Sequence, residues 1–384
     1  MDIYFDNSAT TKPYKEVIEE TLITMEEYYG NPSSLHKIGL KAEKKINESR
    51  EVLAKAINAT KEEIYFTSGG SEANNLIIKG IVKPNHHVIT TKFEHHSVLT
   101  TYEELEKNGV SVTYLDVDSR GQISLEDLEN AIRKDTVLVS IIHVNNEMGA
   151  IQDIEKIGNI IKDKSSRARF HVDVVQSFGK LDLDVKKMKV DLLSASAHKI
   201  HGPKGVGFAY IKKGIILTSL INGGSQEGGF RGGTQNVPGI AGFKKATEIT
   251  FNNMKDNYNK VYEVKSYMID RLKEIDNIRI NSENNEKFSP YILNVSFIGV
   301  RAEVLLHLLE EQGIYVATGS ACTSKTSSIK GSYVIKELGL KKEEVESAIR
   351  FSFSESNTKE EVDKTIDVLK NSLRFLRRVK RWAN

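Results

Sequence analysis

The sequence is short of cysteine, of net charge and of long apolar runs, and each shortage excludes something. A single cysteine, Cys322, among 384 residues rules out an intrachain disulfide and any zinc site built on several thiolates. Lysine plus arginine number 54 against 52 aspartate plus glutamate, a formal charge of +2. So even a balance gives no reason to expect nucleic acid or a membrane surface as partner. No apolar stretch approaches the roughly 20 residues that span a bilayer. The opening Met1-Asp2-Ile3-Tyr4-Phe5-Asp6 has neither the basic start nor the apolar stretch of a secretion signal. Repeats, low-complexity tracts and long linkers are missing too. A cytoplasmic globular chain of two or three domains is expected, at roughly 150 residues per domain.

What the chain does have is alternation. Short β-branched or apolar runs at 64–67, 87–90, 110–115, 137–144, 170–175, 192–195 and 206–211 read as strands. Amphipathic segments lie between them, such as 124–134, where Ser124 followed by Asp127 reads as an N-terminal cap. This pattern predicts an α/β fold with a mostly parallel sheet covered on both faces, and ligands beyond the carboxyl ends of its strands. From about Phe251 a long amphipathic helix through Met254, Tyr258, Val261, Met268, Leu272 and Ile275 opens a second, smaller α/β unit. Strands are expected there at 292–297, 314–317 and 349–354, with a helix at 302–312. A final helix is capped by Thr358 and Glu361 and buries Val362, Ile366, Leu369 and Leu373.

Several residues stand out chemically. Asp173 sits inside an apolar run, where a carboxylate needs a partner or a ligand; a loop-capping acid is the plainer alternative. Lys199 follows the small residues of Ser194-Ala195-Ser196-Ala197 and precedes a Gly-Pro turn. A sheltered lysine there would lose basicity and could condense with a carbonyl, whereas Lys204 reads as a solvated turn residue. Thr67-Ser68-Gly69-Gly70-Ser71-Glu72 enters a helix as a phosphate site would, although an ordinary glycine turn explains it equally well. His95 and His96 follow a strand, but neighbours on a regular element point apart, and no third ligand supports a metal. Cys322 lies in a small, polar run, 318–328, unlike a core cysteine, with Lys325 close in sequence as a possible thiolate partner. The basic end 374–381 reads as a solvated helix end.

Taken together the chain resembles the cysteine desulfurases, pyridoxal 5'-phosphate enzymes of the class V aminotransferase group in fold type I. The resemblance runs nearly end to end. It begins in Tyr4-Phe5-Asp6-Asn7-Ser8-Ala9-Thr10-Thr11 and Gly30-Asn31-Pro32-Ser33-Ser34, and continues in Thr67-Ser68-Gly69-Gly70-Ser71-Glu72 and Glu94-His95-His96-Ser97-Val98-Leu99. His143-Val144-Asn145-Asn146-Glu147-Met148-Gly149, His171-Val172-Asp173 and Ala197-His198-Lys199 follow. Arg231-Gly232-Gly233-Thr234, Gly319-Ser320-Ala321-Cys322-Thr323-Ser324 and Ile349-Arg350-Phe351-Ser352 complete it. The long polar stretch after Cys322 is similar to the nitrogen-fixation and iron–sulfur-assembly subgroup.

The resemblance implies a large coenzyme-binding domain over 15–250 and a small domain from 1–14 and 251–384 that carries the cysteine loop. Lys199 would hold the coenzyme covalently and shuttle the α-proton. Asp173 would pair with the ring nitrogen, Gln176 with the ring hydroxyl, and His95 would stack on the ring. Asn146 would touch coenzyme or substrate. Gly70, Ser71, Ser196 and His198 would hold the phosphate, with Thr234 from the other subunit of a homodimer. Arg350 would clamp the carboxylate of L-cysteine. Cys322 would take the sulfur as a persulfide, releasing L-alanine, and hand it to an acceptor protein for iron–sulfur assembly or thiolation of tRNA or a cofactor. The chain departs from many relatives in Gly70-Ser71 for Ala-Thr, in Ala197 for Gly, and in Glu355 where a basic residue is common. A selenocysteine lyase, a small-substrate aminotransferase and a non-catalytic sulfur-carrying scaffold are the rival readings. Cys322 speaks against the second, and the intact set of site residues against the third.

Overall fold

The computed structural model describes residues 2–319 and 332–382, with the side chains of its last helix described through Arg378. The apolar runs form strands β1 (Ile3–Tyr4), β2 (Ile64–Thr67), β3 (His87–Thr91), β4 (Ser111–Leu115), β5 (Thr136–Ile142), β6 (Arg169–Asp173), β7 (Leu192–Ser196) and β8 (Gly207–Ile211). Seven of them make one sheet in the order β2-β8-β7-β6-β5-β3-β4. The five strands from β7 to β4 are parallel, and β8 runs against both β7 and β2. Every residue of β3, β5, β7 and β8 is buried, so these strands are covered on both faces rather than alternating between core and solvent. One face packs on helices Lys37–Ala56, Ile154–Lys164 and Val237–Asn252 through Leu53, Ile157, Phe208 and Phe243. The other packs on helices Gly70–Ile81 and His96–Lys107 through Leu76, Ile77 and Tyr102.

The rest of the chain adds β9 (Ile278–Ile280), β10 (Ile292–Phe297), β11 (Ile314–Tyr315) and β12 (Ala348–Ser352). β10 pairs antiparallel with both β9 and β12, and β1 pairs parallel with β11, bringing the first residues of the chain to this end of the molecule. Phe5, Met268, Phe297, Phe351 and Leu369 share its core. The expected long helix is Met254–Leu272; Ile275 is buried but lies beyond its end. The expected strand 314–317 stops at Tyr315, because Ala317 exchanges both backbone hydrogen bonds with Arg350 instead. Val144 likewise leaves β5 and bridges to Ile151. Thr358 and Glu361 cap each other as expected. In the basic end, Arg377 donates to the carbonyls of Asp276, Asn277 and Ile298 and so closes the preceding turn. No helix among the described residues is long and apolar enough to cross a membrane.

At the carboxyl ends of β6 and β7 the register places Asp173 opposite Ser194. Close backbone approach there requires glycine. A Cβ on Gly207 would lie 2.5 Å from the Ala195 carbonyl oxygen and 2.7 Å from Gly69 Cα. β8 therefore tucks against the turn that opens helix Gly70–Ile81.

Candidate active site

A cavity of about 340 Å³ opens where parallel strands end, and the first turn after β1 and the Ala317–Gly319 segment close it. Gly70, Ser71, Ser196, His198, Asp173, Gln176, His95, Lys199, Asn146 and Arg350 all line it. Thr234 is not among the lining residues of the single chain, and Cys322 lies outside the described residues.

Asp173 ends β6. Its Oδ1 accepts the Val175 N–H at 2.9 Å and its Oδ2 accepts Asn74 Nδ2 at 2.8 Å, so it caps a turn and faces the cavity at once. Lys199 follows β7 in a short 3₁₀ turn, and its Nζ donates to the carbonyls of Ser8 and Ala9. Burial pushes its amine down to about 7; the charges of Arg350 and Lys180 add to this, and Asp6 and Asp173 oppose it. Burial likewise brings His198 down to about 4, helped by Lys199, Lys204 and Lys180, so its imidazole is neutral.

His95 and His96 both line the cavity, which neighbours on a regular element could not do without a special turn. The reason is local. His95 is the N-cap of helix His96–Lys107, with extended backbone (φ −65°, ψ 149°), so the two residues straddle a break in regular structure. His95 Nδ1 accepts the Ser97 N–H at 3.1 Å, and burial holds the ring below the ordinary histidine range.

Arg350 on β12 donates from Nη1 to the Asn146 carbonyl at 3.0 Å and from Nη2 to Asp6 Oδ1 at 2.8 Å. Among the described residues its Nε has no partner, nor do Asn146 Oδ1 and Gln176 Oε1, although all three atoms are buried. A bare buried polar atom costs about 1–3 kcal/mol. Three of them around one cavity mark it as built for a polar ligand. Helix Gly70–Ile81 turns its unpaired first N–H groups to the same cavity, a fitting seat for an anion. Glu72 in that turn is neutralised by Arg231 at 3.0 Å.

Two acids behave unlike surface carboxylates. Glu147, raised to about 7 by burial, lines the cavity with Gly319 and accepts from Ser332 Oγ. Glu355 accepts the Tyr14 hydroxyl at 2.7 Å and faces His201 at 3.4 Å; burial opposes its charge, but these partners hold it down to about 2. The acid that replaces a common basic residue is thus tied to its own partners. Asp6, Asn74, Ser97 and Glu147 belong to the site and were not singled out from sequence as chemical groups.

The class-V aminotransferase family model matches residues 3–365. The cysteine desulfurase IscS of Clostridium botulinum is 45% identical over 373 residues, spanning 96% of this chain and 93% of its own. Among solved structures, a NifS-like protein superposes with a TM-score of 0.91 at 39% identity, over 98% of this chain and 100% of its own. A structure of SspA in complex with cysteine gives 0.81 at 35% identity, over 93% and 100%.

Proposed function

The chain belongs to the class-V aminotransferase family, and from that premise we propose that it is a pyridoxal-phosphate-dependent cysteine desulfurase. It converts L-cysteine to L-alanine and passes the sulfur to Cys322, whose thiol becomes a persulfide. Atoms balance: cysteine and a thiol give alanine and a persulfide. The observation that carries this reading is Lys199, a buried amine of lowered basicity, sharing one cavity with Asp173 and the unpartnered Arg350 Nε.

The residues present suit the coenzyme. Gly70, Ser71, Ser196 and His198 would hold its phosphate, Asp173 its ring nitrogen, Gln176 its ring hydroxyl, and His95 one ring face. When bound, the coenzyme supplies an electron sink that acidifies the substrate Cα–H and weakens the Cβ–S bond. The protein does the rest. Lys199 Nζ, partly neutral near pH 7, would hold the coenzyme and would carry the Cα proton. Arg350 receives the substrate carboxylate on a guanidinium already oriented by Asp6 and Asn146. Cys322 follows the cavity-lining Gly319 by three residues, at most about 11 Å of extended chain. A reduced acceptor thiol suits a reducing, cytoplasmic compartment.

A homodimer completes this reading. Ile18, Leu22 and Met25 leave an exposed apolar stripe on helix Lys15–Glu27, with exposed Tyr29 and Leu35 just beyond. A second copy of the chain covers it and brings Thr234 of the partner subunit to the phosphate end. The persulfide passes to an acceptor protein of iron–sulfur assembly or of tRNA or cofactor thiolation. Two variants separate the roles. Lys199→Ala abolishes the visible absorbance of the bound coenzyme, and Cys322→Ala keeps it but stops sulfide release under reductant. Sulfide released at the normal rate by Cys322→Ala contradicts the thiol assignment.

A further inference from the structure

Helix Gly70–Ile81 carries a polar side chain that the reaction above leaves unused. Asn74 is 1% exposed, and both ends of its amide are engaged. Nδ2 donates to Asp173 Oδ2 and to Ser97 Oγ, each at 2.8 Å, while Oδ1 accepts from Ser194 Oγ. Ser194 Oγ lies 3.3 Å from His171 Nε2, His171 Nδ1 lies 3.0 Å from Ser140 Oγ, and Ser140 Oγ lies 2.6 Å from the Tyr102 hydroxyl. Ser140, His171, Ser194 and Tyr102 are wholly buried.

One fact orders every proton in this chain. A carboxylate only accepts. Asn74 must therefore turn Nδ2 to Asp173 and Oδ1 to Ser194, and Ser194 must donate its O–H to that oxygen. The lone pair left on Ser194 takes a proton from His171 Nε2. His171 is neutral, since burial brings its ring down to about 3, so its Nδ1 is bare and accepts the Ser140 O–H. Ser140 in turn accepts from Tyr102. On the other branch Ser97 receives the second Nδ2 proton and donates to His95 Nδ1 at 2.8 Å, the atom that also accepts the Ser97 N–H, so the His95 proton is on Nε2. Bonds aligned in one sense polarise one another, and in the chain from Tyr102 the positive ends run toward Asp173.

We propose that Asn74 is a positioning residue, the junction through which a buried, proton-ordered chain from Tyr102 fixes the carboxylate of Asp173. Asp173 is assigned to the coenzyme ring, so the role rests on the functional reading above; the proton order does not. A purely structural role would be met more cheaply by apolar side chains, because buried polar groups are costly unless every one is satisfied.

The test uses full-length protein labelled with ¹⁵N-histidine, as purified and again after coenzyme removal. The His171 signals, assigned by their loss in His171→Gln, should report the Nε2–H tautomer in both forms across pH 6–9. Ser194→Ala should release that preference and weaken pyridoxal 5'-phosphate binding by about tenfold, as for one lost hydrogen bond. Ser194→Thr should restore both, and Asn74→Ala should weaken coenzyme binding at least as much as Ser194→Ala. A wild-type His171 that is Nδ1–H or doubly protonated overturns the proposal. So does coenzyme affinity unchanged in both Ser194→Ala and Asn74→Ala. If wild-type protein with ordered His171 binds no coenzyme, the functional reading fails and the positioning role falls with it, while the proton order stands.

Discussion

Arg350 Nη2 donates to Asp6 Oδ1 at 2.8 Å, joining the turn after β1 to the cavity side of β12. Residues 344 positions apart thereby aim one guanidinium before any substrate arrives. Its planar fork cannot be reproduced by an ammonium. Arg350→Lys should raise KM for L-cysteine by about ten- to a hundredfold, the worth of a charge-assisted hydrogen bond, with coenzyme absorbance unchanged. Asp6→Asn should raise KM less. An unaltered KM in Arg350→Lys contradicts the clamp.

Lys199 gives a pH dependence with a definite sign. Burial, with Arg350 and Lys180, lowers its amine to about 7, so the neutral nucleophile reaches half its full population at that pH. Capture of pyridoxal 5'-phosphate by coenzyme-free protein should accelerate with a midpoint near pH 7 and level about one pH unit above it. Lys180→Met removes a positive neighbour and should move the midpoint upward. Stopped-flow absorbance checks both, and a rate still climbing between pH 8 and 10 would count against the assignment.

Much of this was legible in the sequence, for physical reasons. Strands buried on both faces are continuous apolar runs, so β2 to β8 could be placed within a residue or two. Asp173 showed itself as an acid among valines, and Lys199 as a lysine after small residues. Asn74 was not legible. It stands beside Asn75, and only the fold decides that Asn74 is buried against Asp173 while Asn75 donates to the Ser71 carbonyl of its own helix. The pairing of Asp6 with Arg350 depends on a contact between distant segments. The joint placement of His95 and His96 depended on an N-cap at one residue, finer than periodicity resolves.

Glu94 carries a stability prediction. Burial raises its carboxyl to about 8, against hydrogen bonds from Ile142 N and Thr91 Oγ1 that favour the ionised form, and its Oε2 has no partner among the described residues. A folded-state value above the unfolded one means that the group contributes stability fully below about pH 4.5 and loses it as pH rises to about 8. Glu94→Gln keeps both accepted bonds on Oε1 without the charge. Its stability relative to wild type should therefore climb between pH 5 and 8 and flatten above. Urea unfolding across that range measures the difference, and a flat curve rejects the buried, protonated acid.

Peptide mass spectrometry after a single turnover of the coenzyme-loaded protein with L-cysteine is the most direct test of sulfur transfer. One additional sulfur atom should appear on the peptide that holds Cys322, with one L-alanine released per chain. Alanine without sulfur on that peptide, or no alanine at all, would contradict it.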